Sequence, residues 1–455
     1  MASAAEDPRG YQKINRHAAE ALAEHGTKFE GDKAMAFALS ALCLDSASMT
    51  ALESVAEALH GIVESALDWV FASPRRVEEH FSEHQRMLPW IRKTRGSNCW
   101  QGVSRYDAVI MADGRVRILE LNTGCPAGFL HAEDFSNVTQ EAIHALNVGG
   151  GHVAAGLGLK MDQFGTIPGR ALVEELLAIE NQAGISKGTI GLVNDENQLK
   201  NELELIAQAF GRHGRAAEIV NAAEIQFAGG QAQWQGQPLS LLYNKIRIST
   251  ANSPKHHWSP GFESRYAGFL DVIKNDAAVA VNNLAALSVA EDKGLLELLR
   301  LPEFSAELTA AQRQFVEEYV LWTARLDDRM VAWQGQAVNL LRFVQANREK
   351  FVIKPANEGR GFGVVVGKFA TPEEWEAACQ IDPDMPKVVQ EYAEPARLPI
   401  MRTAGGDKLE AVEHHLTVGL AMIRGKSRGV LSRISSDPVT NVGREGIVQA
   451  VFLTD

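Results

Sequence analysis

The stretch 351–367, FVIKPANEGRGFGVVVG, sets the reading of the whole chain. Phe351, Val352 and Ile353 run as β-type residues into Lys354 and Pro355. Gly359, Gly361 and Gly363 then interrupt the pattern, and Val364, Val365 and Val366 resume it, so the spacing predicts strand, glycine loop, strand. Glycines let backbone N–H groups approach an anion closely, and a lysine at a strand end offers a point charge to a phosphate. The stretch can therefore grip a nucleotide triphosphate. It is neither of two better-known phosphate loops, since GxxxxGK followed by Ser or Thr is absent and the glycines do not fall in GxGxxG spacing. A glycine-rich β-hairpin with a surface lysine is the other reading of these residues.

The chain as a whole narrows the choice. At 455 residues it is too long for one compact core, and two or three domains are expected. A net charge of −12 and an isoelectric point near 5.6 argue against a nucleic-acid backbone as main partner and favour a small-molecule substrate. The start, MASAAEDPRG, has no basic segment leading into an apolar core, and no run of 18 apolar residues follows anywhere. A soluble, cytoplasmic protein without a membrane partner is expected. Cys43, Cys99, Cys125 and Cys379 lack CxxC spacing, so free thiols are expected rather than disulfides or a zinc site.

A second motif lies upstream. VSRYDAVIM (103–111) and VRILELN (116–122) are β-rich runs separated by Ala112, Asp113, Gly114 and Arg115, and Asp-Gly is a strong hairpin signal. With Asp113-Gly114 as a two-residue turn, Ala112 faces Arg115, Asp107 faces Glu120 and Arg105 faces Asn122, with these last four side chains on one face. Facing carboxylates repel unless a cation or a neighbour takes up the charge. Magnesium, which prefers oxygen ligands, suits Asp, Glu and Asn. A solvated hairpin face is the alternative.

The remaining chain is organised around these two motifs. Residues 1–95 read as a helical N-terminal region, with Ser46 or Ser48 as N-cap of a helix that carries Leu52, Val55, Leu59, Ile62, Val63, Ala66 and Val70 at helical spacing. Residues 96–185 hold the hairpin, the turn 123–128, a helix to about Leu146 and a glycine-rich connector. Residues 186–270 form a small α/β unit: strands at 189–193 and 216–220 around a helix at 199–210, then a hairpin ending on Tyr243, Asn244, Lys245 and Arg247. Residues 271–455 begin with a strand and a helix near Glu291 and Asp292, with Lys293 in its first turn. A phosphate partner would explain a lysine there, as would a solvated surface position. Helices are expected in most of the interval to Asn347, then the glycine loop, a helix from Thr371, a strand at 388–392 and alternating C-terminal strands. The adjacent pairs His256-His257 and His414-His415 lack the spacing of metal ligands.

With these residues assembled, the chain resembles the circularly permuted branch of the ATP-grasp family, similar to the synthetase domain of glutathionylspermidine synthetase. The resemblance rests on R-x-D at Arg105 and Asp107, E-x-N at Glu120 and Asn122, LLYNK at 241–245, EDKGLLELL around Lys293, VIKPANEGRGFG at 352–363 and VVQEYAEP at 388–395. It covers about residues 100–455, and its order is permuted because the metal-binding strand precedes the nucleotide-binding lobe. It implies an α/β (α+β) ATP-grasp fold. It further implies that Lys293 and Lys354 contact ATP phosphates, that Gly359, Gly361 and Gly363 close over them, and that Gln390, Glu391 and Tyr392 form the hinge strand meeting adenine. Asp107, Glu120 and Asn122 would hold magnesium, with Arg105 beside the transferred phosphoryl group. The loop reads EGRGFG rather than the family's more usual run, which leaves Arg360 without an assigned role, and no amidase domain is present.

The implied activity is an ATP-dependent carboxylate–amine ligase that forms an amide through an acyl phosphate. ATP and Mg2+ are the implied cofactors, and a small carboxylate and a small amine the partners. A nucleotide-binding regulatory or scaffold module and a small-molecule phosphotransferase are the competing readings.

Overall fold

The structure, a computed structural model, describes residues 8–28, 35–124, 126–148, 159–195, 200–246, 261–359, 361–403, 408–444 and 446–454. Among them, a mixed central sheet runs in the order Ala41–Asp45, Ile447–Thr454, Lys426–Ser435, Leu409–Ile423, Val103–Ile110, Val116–Asn122. Arg397–Thr403 also pairs with Leu409–Ile423, and Leu159–Phe164 with Ile447–Thr454. Residues alternate across the strands, so one face of the hairpin buries Tyr106, Ala108, Ile118 and Leu121. The helix Ser46–Phe71 covers that face with Leu52, Val55, Leu59, Ile62, Val63, Ala66 and Val70. Arg105, Asp107 and Glu120 belong to the other face.

That N-terminal region is not wholly helical. Asp45 caps the helix by accepting from the Ser48 N–H at 2.6 Å, a role expected of Ser46 or Ser48. Just before it, Ala41–Asp45 is a strand paired in parallel with Ile447–Thr454, burying Leu42 and Leu44. Five residues abutting a serine-rich helix start give too short a period-2 signal to separate from helix. The expected helices before Asn347 are corrected similarly: Thr323–Arg325 is a strand, and Met330–Trp333 with Gln336–Asn339 forms a hairpin.

Two smaller sheets flank the central one. The α/β unit carries parallel strands Thr189–Asn194, Ala217–Asn221 and Gln237–Asn244, with the apolar stripe Leu203, Ile206, Ala209 and Phe210 of helix Lys200–Arg212 packed against them. The other sheet is antiparallel, in the order Thr323–Arg325, Lys387–Glu391, Phe351–Pro355, Val365–Val366. Trp333, Phe351, Trp375 and Val389 build its core, and Thr371 starts its helix Pro372–Ala378 with a reciprocal cap to Glu374. Cys43, Cys99 and Cys379 are free thiols. No helix among the described residues is long and apolar enough to cross a membrane.

The hairpin register combines two offsets. Met111, not Ala112, faces Arg115: its N–H bonds the Arg115 carbonyl at 2.8 Å, and Gly114 sits at φ +82° in a three-residue loop. Beyond the third pair after Met111, the ladder slips between Ala108 and Asp107, where Leu119 is an extra residue on the second strand. The bulge cancels the longer loop. Asp107 therefore faces Glu120 and Arg105 faces Asn122, as the shorter turn also predicts.

Leu121, 5% exposed, packs into the central core. Leu121→Ala should lower stability by roughly 2–5 kcal/mol, measured by urea unfolding, and a loss below about 1 kcal/mol would place that side chain outside the core.

Candidate functional site

The central hairpin and the antiparallel sheet face each other across a cleft of about 830 Å³, its solvent mouth included. Asp107, Glu120, Lys293, Lys354, Gly361, Gln390, Glu391 and Tyr392 line it, so most of the residues singled out in the sequence share one space. Asn122, Gly359 and Gly363 are not in the lining, and Arg105 reaches it through Asp107. Arg433, Thr417 and residues 438–441 complete the opposite wall.

The bulge organises the seam. Leu119 does not share in the regular ladder, and its carbonyl accepts from Gln390 Nε2 at 2.9 Å. The same Nε2 donates to Thr323 Oγ1 at 2.9 Å, while Gln390 Oε1 accepts from Lys354 Nζ at 2.8 Å. One buried amide thus ties the hairpin to the antiparallel sheet and fixes the lysine. Arg117 adds an ion pair to Glu391 at 3.3 Å. Lys293 approaches from a third element as N-cap of the short helix Gly294–Leu298, rather than within its first turn. Its Nζ donates to the Glu358 carbonyl at 2.7 Å and lies 3.7 Å from Glu120 Oε2.

Two buried ammonium groups therefore converge on the cleft. Burial is the main force on Lys354, pushing its ammonium down to about 8; Glu120 and Asp107 oppose this and Lys293 reinforces it. An anion between the lysines would relieve that cost.

The carboxylate pair is compensated from within the protein. Asp107, 2% exposed, accepts from Arg105 Nε at 2.7 Å and Nη2 at 3.0 Å, and from Arg433 Nη2 at 2.5 Å. Burial pushes this carboxyl up, but Arg105 and Arg433 outweigh it and bring it down to about 2. The uncompensated repulsion expected from facing carboxylates is thus absent, because Asp107 meets two guanidiniums and Glu120 meets Lys293. The donor set suits magnesium in part. Glu120 is half-buried beside the cleft, whereas Asn122 lies outside its lining and its buried, unpartnered Nδ2 is a donor that cannot bind a cation, so only its Oδ1 could serve. Asp107 has less to offer, since Oδ2 already takes two donors and Oδ1 one.

The glycine loop turns through Gly361 at φ +68° and Gly363 at φ +65°; a side chain at Gly363 would press on Pro355. Phe362 between them is 62% exposed. Arg360 lies outside the described residues, as do Arg247, His256, His257 and the glycine connector at 149–158. Asn244 and Lys245 are buried, with Lys245 Nζ donating to the Pro126 carbonyl at 2.5 Å.

The sequence reading expects substrate contacts from the C-terminal segment around Arg433 and Asn441 but leaves the individual role of Arg433 open, and that distant strand gives no local signal that it reaches Asp107. The same reading missed Asp292, which joins His84 at 3.1 Å and Arg325 at 3.0 Å behind Lys293. Glu83, His84 and Asp292 could together hold a cation, but Arg325 already bonds both carboxylates. Against the effect of burial, Arg325 and His84 hold Asp292 far below the usual carboxylate range. The cluster reads as an internal ion-pair network that braces the lysine loop.

No protein-family model and no curated protein matches the sequence. Among solved structures, the chain is similar to a glutathione synthetase-like effector from Globodera pallida in its apo form, at TM-score 0.63 and 11% identity over 98% of each chain. A Methylobacillus flagellatus protein described as a gamma-glutamylcysteine synthetase aligns over 87% of this chain and 88% of its own at 10% identity, and its TM-score of 0.38 is too low to carry an argument. At these identities the likeness concerns fold. The chain has a mixed α/β architecture and shares its fold with the glutathione synthetase-like effector.

A phosphate bound between the lysines should restore the Lys354 proton. Affinity for a non-hydrolysable ATP analogue should then be flat below pH 8 and fall by up to about tenfold per pH unit above it, with proton uptake seen calorimetrically. Lys354→Met should abolish the slope. Constant wild-type affinity from pH 7 to pH 9.5, or a slope that survives in Lys354→Met, would contradict the arrangement.

Proposed function

We propose that the protein is an ATP-dependent carboxylate–amine ligase of the permuted ATP-grasp type. The observation that carries this reading is the convergence of Lys293 and Lys354, from separate elements, on a cleft whose other wall presents Glu120 and Asp107. Two buried cations facing carboxylates across a cleft suit a polyphosphate with its counter-ions. The chain order supports the permuted form, because the hairpin precedes the antiparallel sheet in sequence. ATP would lie with its phosphates at Lys293 and Lys354 under the loop of Gly359, Gly361 and Gly363. Its base would rest against the strand end at Gln390, Glu391 and Tyr392.

In this mechanism a substrate carboxylate oxygen attacks the γ-phosphorus, ADP leaves, and an acyl phosphate forms. The amine nitrogen then attacks the carbonyl carbon, loses a proton, and inorganic phosphate departs. Phosphoryl transfer depends on positioning and charge neutralisation rather than a side-chain nucleophile. Lys293 and Lys354 neutralise phosphate oxygens, while Arg105 and Arg433, oriented by Asp107, face the transferred group. Glu120 and Asn122, with the remaining lone pair of Asp107 Oδ1, would hold magnesium, which supplies further neutralisation of the polyphosphate.

A nucleotide-binding module without ligase activity is the second reading, favoured by the word effector in the description of the structural neighbour. Both lysines, both carboxylates and Arg433 line one cleft, with Arg105 bonded to Asp107, which supports the ligase.

Incubation with ATP, Mg2+ and pooled amino acids, dipeptides and polyamines should yield ADP and phosphate in an amine-dependent manner, with a matching mass gain. Chromatography of the spent nucleotide decides the matter: AMP as main product, or ADP release indifferent to amine, would contradict the ligase.

A further inference from the structure

The open end of the metal-side hairpin is tied down by a segment that also carries a phosphate-side lysine. Thr123 follows Asn122 directly and is fully buried. Its N–H and that of Gly124 each donate to Glu291 Oε2 at 2.5 Å. Its hydroxyl donates to the Ala286 carbonyl at 2.7 Å, and its own carbonyl accepts from Asn282 Nδ2 at 2.6 Å. Asn282 reaches the first strand as well, accepting from the Val103 N–H and donating to the Val103 carbonyl, both at 2.7 Å. Segment 282–291 therefore holds the start of one strand and the end of the other. Two residues beyond Glu291, Lys293 reaches across to Glu120 at 3.7 Å.

We infer that Glu291 is a positioning residue that sets the distance between the lysine loop and the metal-binding end of the hairpin, a role that rests on the ligase reading above. Two backbone N–H groups on one carboxylate oxygen fix the direction in which the strand leaves Asn122, and hence where that side chain and Glu120 sit relative to Lys293. Burying a carboxylate is costly when an amide could accept the same two bonds. Burial pushes the Glu291 carboxyl up and Glu120 adds to this, while the two N–H bonds and Lys293 oppose it, so what the residue supplies to the turn is its acceptor oxygen. Glycine at position 124 gives room for this approach: a Cβ there would stand 3.2 Å from Glu291 Oε2, close enough that the carboxylate would have to shift by a few tenths of an ångström. Asn282 fixes the same turn from its other side, while the lysine loop communicates with Thr123 and Gly124 through Glu291.

The test is calorimetric titration of adenylyl imidodiphosphate, with and without Mg2+, into the wild type and into Glu291→Ala, Glu291→Gln and Gly124→Ala. The wild type should bind more tightly with Mg2+. Glu291→Ala should lose about tenfold or more of that metal-dependent gain, with metal-free affinity changed less than about twofold. Glu291→Gln keeps an acceptor for both N–H groups and should recover most of the gain. Gly124→Ala leaves the carboxylate in place but crowds it, and should lose about threefold or more, which keeps the test available if Glu291→Ala does not fold. An undiminished gain in Glu291→Ala, or in Gly124→Ala should the former not fold, would overturn the inference and leave the ligase reading standing. Equal loss of metal-free and metal-dependent binding would show a structural role only and overturn it likewise. A wild type whose binding does not respond to Mg2+ would remove the ligase reading and the inference together.

Discussion

The site depends on one buried carboxylate shared by two guanidiniums. Asp107 stands on the first hairpin strand, Arg105 two residues before it, and Arg433 on a strand separated from theirs by Leu409–Ile423. The residue opposite Asp107 on the intervening strand is Gly419, and the Arg105 side chain lies over it. A Cβ at that glycine would stand 2.6 Å from Arg105 Cδ. The ionised carboxylate offsets one of the two guanidinium charges and accepts hydrogen bonds from both, which lowers the cost of burying three charged side chains together. Removing one member of such a group leaves the others desolvated and unpaired, a cost far above that of an exposed ion pair. This couples the C-terminal strands to the hairpin and holds the arginines where a transferred phosphoryl group would pass.

A second constraint is the bulge at Leu119. An extra residue in a ladder leaves a backbone group unpaired, and here that group receives Gln390. The amide in turn orients Lys354. An irregularity in one sheet thereby sets the position of a cation on another. Lys293 lies 3.7 Å from Glu120, while Gln390 holds Lys354 and two arginines hold Asp107, so each of the four charges has a partner within the protein.

Much of this was legible in the sequence, and the failures have physical causes. The glycine loop, its two strands, the helix from Thr371 and the strand carrying Gln390 follow from β-type runs, glycine spacing and a capping box. The hairpin pairs came out right through two cancelling offsets: Asp-Gly fits both a two-residue turn and the end of a three-residue loop with Gly114 left-handed, and no residue type announces the bulge. Lys293, Lys354, Asp107 and Glu120 stood out because charges next to β-type runs or helix starts call for partners. The bonds of Glu291 and Asn282, and the pairing of Arg433 with Asp107, were not readable, since the partners lie far away in the chain and only the fold brings them near. The short strands Ala41–Asp45 and Thr323–Arg325 were likewise unreadable, because strands of five and three residues carry too few alternations to outweigh neighbouring helix signals.

The central claim is that the cleft holds nucleotide phosphates between Lys293 and Lys354. Its most direct test is titration of an ATP analogue into Lys293→Ala and Lys354→Ala at pH 7, with thermal unfolding as a check on the fold. A charge-assisted hydrogen bond contributes roughly 1.5–3 kcal/mol, so each variant should bind at least about tenfold more weakly while still unfolding cooperatively. Folded variants that both retain wild-type affinity would contradict the account.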